Sequence, residues 1–439
     1  MTDLTLSESP ARPKPRPKGK PRLFDCPACG GSIRLNAVGH SVRAACSHCG
    51  SLVDTSNENL RLVQRANEKL RPSLLQLGAY GTLNGKRWQV IGWMEKRDRA
   101  SLVSWHEYLL FNPFYGFRFL VEADGHWTLL QVVKQRVPTP AGLLKFDFGG
   151  RSFTLFQRGK TDVTYVAGEF YWEVQRGETS DVQDFVAPPY LLTIERGHGE
   201  INVAHGTYLD PKAVATAFGL GTRLPPRDGV GPNQPSPFAE TARKVTKPAI
   251  LFLAAAISIQ IGAVILADNE TLVSRNVVMN PSDSEKTIVI PALHLSDELA
   301  DVIIETGGRL DNQWMEIGFQ LVNDQTGRGY TFRNAMESYS GHDGGEYWSE
   351  GDRDTETVLS MVPGGNYSLI AEMDAGPPAT GRDWVWSLRA RRDVALWANF
   401  WTTLGFGLSI PFYLGMRHLG FEKKRWAQSD YAPSIYRDS

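Results

Sequence analysis

The chain has 439 residues, a net charge of −1 and 42% hydrophobic residues, which leaves room for two or three domains with their own cores and excludes a wholly disordered chain. The balance hides a division: 22 acidic and 10 basic residues between Asp268 and Asp393 put −12 there and +11 on the rest. Four cysteines stand in two pairs near the N-terminus, a pattern of metal ligation in a reducing compartment and not of a disulfide framework.

Residues 1–22 interleave Pro10, Pro13, Pro15, Pro17 and Pro21 with Arg12, Lys14, Arg16, Lys18, Lys20 and Arg22. This predicts an extended, disordered basic arm. It reads either as a contact for anionic lipid or nucleic acid, or as a solubilising tail. A zinc ribbon is expected over 23–54. Cys26 and Cys29 form one CxxC turn, Cys46 and Cys49 another, each trailed by a glycine, and this separation can aim four thiolates at one Zn²⁺. Four protein ligands leave no open position, so the metal is structural; a redox dithiol pair is the alternative. His48, inside the second turn, reads as a spacer. Arg34, His40 and Arg43 make no dense basic stripe, which counts against nucleic acid. Over 55–73, Leu60, Val63, Ala66 and Leu70 recur at helical spacing before Pro72, predicting a helical connector.

From 74 to 220 short apolar and aromatic runs alternate with glycine turns: 86–94, 107–111, 117–123, 126–133, 152–157, 162–174 and 189–195. An antiparallel β barrel-like domain follows from this pattern, with one helix where Asp210 caps a segment starting at Pro211. Candidate chemistry lies in Trp105, His106, Glu107, His126, Glu169, Glu173, Glu195, His198, Glu200 and His205. Glu195, His198 and Glu200 have metal-ligand or general-base spacing, but they sit in a glycine-rich turn between two strand-like runs, and a solvated hairpin is the favoured reading. No nucleophile elbow, phosphate loop, dinucleotide fingerprint or HExxH occurs.

The stretches GTLNGKRWQVIGWMEK, WHEYLLFNPFYGFRFLVEADGHWTLL, VAGEFYWEVQRGE and PPYLLTIERGHGEINVAHGTYL resemble the bacterial domain of unknown function 4178, over roughly residues 75–220. The resemblance implies an N-terminal zinc ribbon, C-terminal membrane helices and a genomic setting beside phage-shock-like envelope proteins and spermidine-synthase-like proteins. It brings no catalytic residues with it.

Residues 221–248 are rich in Pro and Gly and read as a linker. Positions 249–267, AILFLAAAISIQIGAVILA, carry no charge and at 1.5 Å per residue reach roughly 28 Å, the depth of a bilayer core. This is the first expected transmembrane helix. Arg243, Lys244 and Lys247 before it and Asp268 and Glu270 after it place its N-terminal end in the cytoplasm. A second span is expected over 394–416, interrupted by Asn399, Gly405, Gly407 and Pro411, and a cytoplasmic tail over 417–439. Between the spans, 268–393 reads as an acidic extracytoplasmic β-sandwich: in 314–322 Met315, Ile317, Phe319 and Leu321 alternate cleanly. Its acidic loop 341–356 reads as solvated or as a Ca²⁺ loop without EF-hand spacing, with Tyr347 and Trp348 as an exposed tip.

The chain as a whole is thus expected to be mainly β and multi-domain: a two-pass adaptor or sensor of the inner membrane, acting in envelope stress with the lipid bilayer and membrane proteins as partners. The rivals are a membrane-bound enzyme (hydrolase or polyamine-related) and a nucleic-acid-binding membrane protein.

Overall fold

The computed structural model describes residues 22–437 except 57–59, 67–68, 134–141, 198, 284–285, 297 and 378–381. The basic arm before Arg22 and the candidate His198 therefore lie outside the described residues. Two compact units divide the chain, Met1–Lys244 with Phe412–Ser439 and Val245–Pro411.

The first unit begins with a hairpin of β1 (Arg22–Asp25) and β2 (Ser32–Leu35), then β3 (Arg43–Ala45), β4 (Leu52–Asp54) and β5 (Arg61–Gln64). Ten strands follow: β6 (Tyr80–Leu83), β7 (Lys86–Asp98), β8 (Ser104–Asn112), β9 (Gly116–Ala123), β10 (His126–Val132), β11 (Lys145–Phe148), β12 (Arg151–Phe170), β13 (Thr179–Ala187), β14 (Tyr190–Gly197) and β15 (Glu200–Leu209). The ladder runs β7-β8-β9-β10-β15-β14-β13-β12, and β12 pairs back onto β7. Eight antiparallel strands thus close into a barrel, which removes free edges from the wall. Separate runs were expected over 152–157 and 162–174; the structure joins them into one strand of 20 residues. The strand stays unbroken because it has partners along its length, β13 against Thr154–Asp162 and β7 against Val163–Gly168.

Register puts Trp88, Val90, Trp93, Tyr108, Leu110, Leu120, Trp127 and Tyr165 on one face of the wall, where they form one buried cluster. On the same face Phe153 of β12 and His205 of β15, three strands apart, have ring centroids 6.2 Å apart. The helix α1 (Pro211–Phe218) adds Val214 to that cluster. It starts as expected, with Asp210 Oδ1 accepting from the Lys212 amide at 2.9 Å, and it ends on Gly219 at φ +66°, the left-handed cap that glycine adopts without strain. On the other face, Ala37, Ala45 and Leu52 pack against Ile91, Met94, Leu109, Val166 and Phe170, seating the cysteine segment on the barrel.

Two expectations fail here. The helical connector over 55–73 contains strand β5 at 61–64 in place of a helix. Its register against β4, Val53 opposite Leu62 and Asp54 opposite Arg61, satisfies the backbone and outweighs a weak helical periodicity. The 221–248 segment is not a free linker either. Its own Asn233 is buried and accepts from Thr128 Oγ1 at 3.1 Å, and His126 Nε2 contacts the Asp228 carbonyl at 3.0 Å. Arg425, wholly buried, donates to the carbonyls of Gly231 (2.9 Å), Pro232 (2.7 Å) and Gln234. The strap and the C-terminal tail are thereby held on the barrel.

Helix α2 (Ala239–Leu266) leads into the second unit. There β16 (Glu270–Met279), β17 (Thr287–Leu295), β18 (Ala300–Gly308), β19 (Gln313–Asn323), β20 (Gly329–Asp343), β21 (Glu346–Glu350), β22 (Asp354–Val362), β23 (Gly365–Ala375) and β24 (Trp384–Arg392) precede helix α3 (Ala398–Trp426). Two sheets, β16-β24-β18-β22 and β17-β23-β19-β20-β21, share one apolar core. Met315, Ile317, Phe319 and Leu321 are buried in it, as their period of two requires. Among the described residues one helix, α2, is long and apolar enough to cross a membrane. The second expected span is helical over 398–426, but Asn399, Gly405, Gly407 and Pro411 dilute its apolar content, and its last turns carry Lys423, Lys424 and Arg425.

The closure point yields a direct test. Gly168 has φ +84°, and a Cβ there would lie 2.2 Å from the Ile91 carbonyl oxygen. Gly168→Ala should cost about 3 kcal/mol or more in a thermal or denaturant melt. Gly85, at φ +71° but in open space, should lose only about 1–2 kcal/mol as Ala.

Candidate functional site

The two CxxC segments fold into matching knuckles. In the first, the Cys26 amide donates to the Gly31 carbonyl and the Gly30 amide to the Cys26 carbonyl, each at 2.8 Å; Cys46, Ser51 and Gly50 repeat the pattern at 2.9 and 2.8 Å. Gly30 and Gly50 take φ of +74° and +72°, which permits the tight turn. The four Sγ atoms lie within 4.8 Å of one another, with Cys26 to Cys49 and Cys29 to Cys46 both at 3.8 Å. A tetrahedron of sulfurs ~2.3 Å from its centre has edges of about 3.8 Å, so the donor set fits a four-coordinate metal. The amides of Gly31 and His48 point at Cys29 and Cys46 sulfur at 3.4 Å. The His48 ring packs over Gly31 and contributes no ligand atom to the cluster.

Glu169 is the bracket between this segment and the barrel. Nearly fully buried, it accepts from the Asn36 amide (2.6 Å), Asn36 Nδ2 (2.7 Å), the Ala37 amide (3.0 Å) and Ser41 Oγ (2.8 Å). Its lone pairs are spent on architecture. Beside it a cleft of about 1150 Å³ opens between the cysteine segment and the barrel, with Arg34, His40 and Arg87 among its lining.

Glu107 and Glu195 meet around a residue the sequence did not single out. Lys96 Nζ lies 2.9 Å from Glu195 Oε1 and 3.4 Å from Glu107 Oε2; Ser180 Oγ donates to Glu195 at 2.6 Å and Trp105 Nε1 to Glu107 at 2.9 Å. Burial works to lower the Lys96 pKa, but the two carboxylates outweigh it and hold the ammonium above its ordinary range. Burial likewise raises Glu195, and Lys96 with the Ser180 bond reverses this, leaving its carboxyl below the usual value. Nothing in the sequence flagged Lys96, because its partners sit on β8 and β14, far along the chain.

The remaining candidates are dispersed. His106 Nδ1 contacts Glu122 Oε2 at 3.0 Å; His126 Nδ1 contacts the Tyr208 hydroxyl at 3.1 Å, and burial lowers its pKa. Glu173 is exposed near Arg43, and Glu200 is exposed across the turn from Glu195. His205 stacks on Tyr190 with centroids 5.4 Å apart, its pKa lowered by burial and by Arg151. Glu169 and Glu195 do not share a pocket. In the second unit the 341–356 carboxylates lie along β20–β22, with Tyr347 and Trp348 exposed. Among the described residues the four cysteines are the one group of His, Cys, Asp or Glu placed so that it could hold a metal ion.

A closed β barrel bearing a four-thiol ribbon on its wall is the class of protein that the first unit defines. Within it, residues 76–211 match the domain of unknown function (DUF4178), in agreement with the resemblance carried by the sequence. No curated protein matches the chain. Solved structures with some likeness include PNGF-II (9% identity, 69% of this chain and 68% of that chain, TM-score 0.18). Others are a glycoside hydrolase family 43 arabinoxylan arabinofuranohydrolase from Bacillus subtilis (8%, 71% and 77%, 0.17) and infectious bursal disease virus Gt strain (11%, 78% and 63%, 0.16). At such TM-scores these likenesses carry no argument.

The ion triad has a pH signature. Glu195, depressed in the folded state, stabilises above its unfolded pKa near 4.3 and loses that contribution as pH falls through the folded value; Lys96, raised, contributes below about 10.4. Lys96→Met strands two carboxylates and should cost about 3–5 kcal/mol at pH 7. Denaturant melts should find the deficit shrinking toward pH 4, where the stranded Glu195 takes up a proton.

Proposed function

We propose that the chain is a two-pass adaptor or sensor of the bacterial inner membrane, with the zinc-loaded ribbon and barrel in the cytoplasm and the acidic β-sandwich outside it. The observation that carries this reading is parity. The tail after α3 belongs to the same unit as the barrel: Trp426 packs on Phe156 at 5.5 Å between ring centroids, and Ser429 Oγ donates to the Phe156 carbonyl. If α2 crosses a bilayer, a tail bound to the barrel requires α3 to cross back.

Three features support the crossing. Along α2 only Gln260 is buried, and Leu251, Ile259, Ile265 and Leu266 are more than 70% exposed, a surface that lipid solvates and water does not. Gln260 Nε2 donates to the Leu396 carbonyl at 3.4 Å, and Phe252 fills the space over Gly407, so the helices support each other and the weaker one need not stand alone. The basic residues Arg243, Lys244, Lys247, Lys423 and Lys424 all fall at the same ends of the pair, in accord with the positive-inside rule. Four thiolates in a tetrahedral set suit Zn²⁺ or iron–sulfur iron, and the ribbon-type spacing of the two CxxC turns favours Zn²⁺. Envelope stress is the setting that the family resemblance suggests for it, with membrane proteins as partners.

Membrane-impermeant maleimide applied to intact cells should label Asp343→Cys and spare Asp228→Cys until the cells are broken. Labelling of both, or of neither, would contradict the topology. Purified protein should carry about one zinc per chain by elemental analysis, and Cys46→Ser should abolish it.

A further inference from the structure

In the first unit a second cavity of about 190 Å³ has Lys86, Trp88, Arg118, Gln131, His205 and Thr207 among its lining. Its walls come from β7, β9, β10 and β15, and in strand order β7 and β15 stand four apart in the eight-stranded ring. The volume is on the order of six waters at ~30 Å³ each.

The lining is one-sided in charge. Lys86 and Arg118 face the cavity with no Asp or Glu among the lining residues. The interactions of Arg118 are with the carbonyls of Phe117 (2.7 Å) and Tyr115 (3.4 Å), both through Nη1, and with the Trp88 ring. Lys86 Nζ sits 4.0 Å over the Tyr115 ring. A half-buried guanidinium with carbonyls and aromatic rings around it and no counter-charge is costly, and the desolvation shows as an Arg118 pKa pulled below its ordinary value. Gln131 and Thr207 add neutral donors. Trp88, 2% exposed, has a buried indole N–H with no acceptor, in a fold where buried donors are ordinarily paired.

We propose that this cavity binds a phosphate-type oxyanion, free or borne on a lipid headgroup. Donors approach from four strands, and a tetrahedral oxyanion offers acceptors in all those directions, whereas a carboxylate presents one planar edge. The anion supplies the missing counter-charge to Arg118 and Lys86. This site goes beyond the membrane reading and does not depend on it.

The test uses the full-length protein in an uncharged maltoside detergent, titrated by calorimetry with inorganic phosphate and, separately, with dihexanoyl phosphatidic acid. Wild-type protein should bind at least one of the two. Arg118→Gln and Lys86→Gln should each weaken binding about ten-fold or more, and Trp88→Phe should weaken it by a smaller factor. Binding of inorganic phosphate identifies a free anion as sufficient; binding of the phosphatidic acid alone identifies a lipid source, and either supports the site. Lys86 is only half-buried, so its variant keeps the fold and stays informative if Arg118→Gln does not. Absence of heat with both probes, equal binding by wild type and Lys86→Gln, or equal affinity for chloride overturns the proposal.

Discussion

One strand holds the first unit together. β12 pairs with β11 and β13 along its first half and with β7 and β3 along its second. At Gly168 it is paired on both sides at once, with Gly92 of the barrel and Ala45 of the cysteine segment. The closure needs two glycines facing each other, because the chains approach too closely for a side chain on either: a Cβ on Gly92 would lie 2.4 Å from the Glu169 carbonyl oxygen. The next residue, Glu169, then reaches out with its carboxylate and fixes the 36–41 loop. Barrel closure and the seating of the cysteine segment are thus one event in adjacent residues.

The molecule treats buried charge in two ways, and the difference separates structure from binding. Glu169 is met by four donors, Lys96 by two carboxylates, and Arg425 by three carbonyls and Glu422. Each is a completed set, and completed sets specify geometry. Arg118 and Lys86 are held differently: they are cations set around a cavity without a carboxylate in its walls. A folded chain retains such an imbalance at a cost, and the cost is recovered when an anion enters.

The strap 226–234 and the tail beyond α3 are both fixed to the barrel within the first unit. Asn233, His126 and Arg425 tie the strap before α2 to the barrel and to the end of α3, and His418 Nδ1 lies 3.0 Å from Ser236 Oγ.

What the sequence determined by itself was local. The CxxC turns, the Asp210-capped helix, the alternation of 314–322 and the uncharged run 249–267 each state their structure within a few residues, because turn geometry, capping and hydrophobic period act over that range. Tertiary structure decided the rest. Residues 61–64 became a strand because β4 offered a ladder, and a Pro/Gly-rich stretch became a strap because Arg425, some 190 residues on, supplied its carbonyls with donors. Lys96 found Glu195, and Lys86 came to face the same cavity as His205, only when the barrel closed. Their interaction energies depend on distances across a cylinder, and no pattern of neighbours along the chain records those.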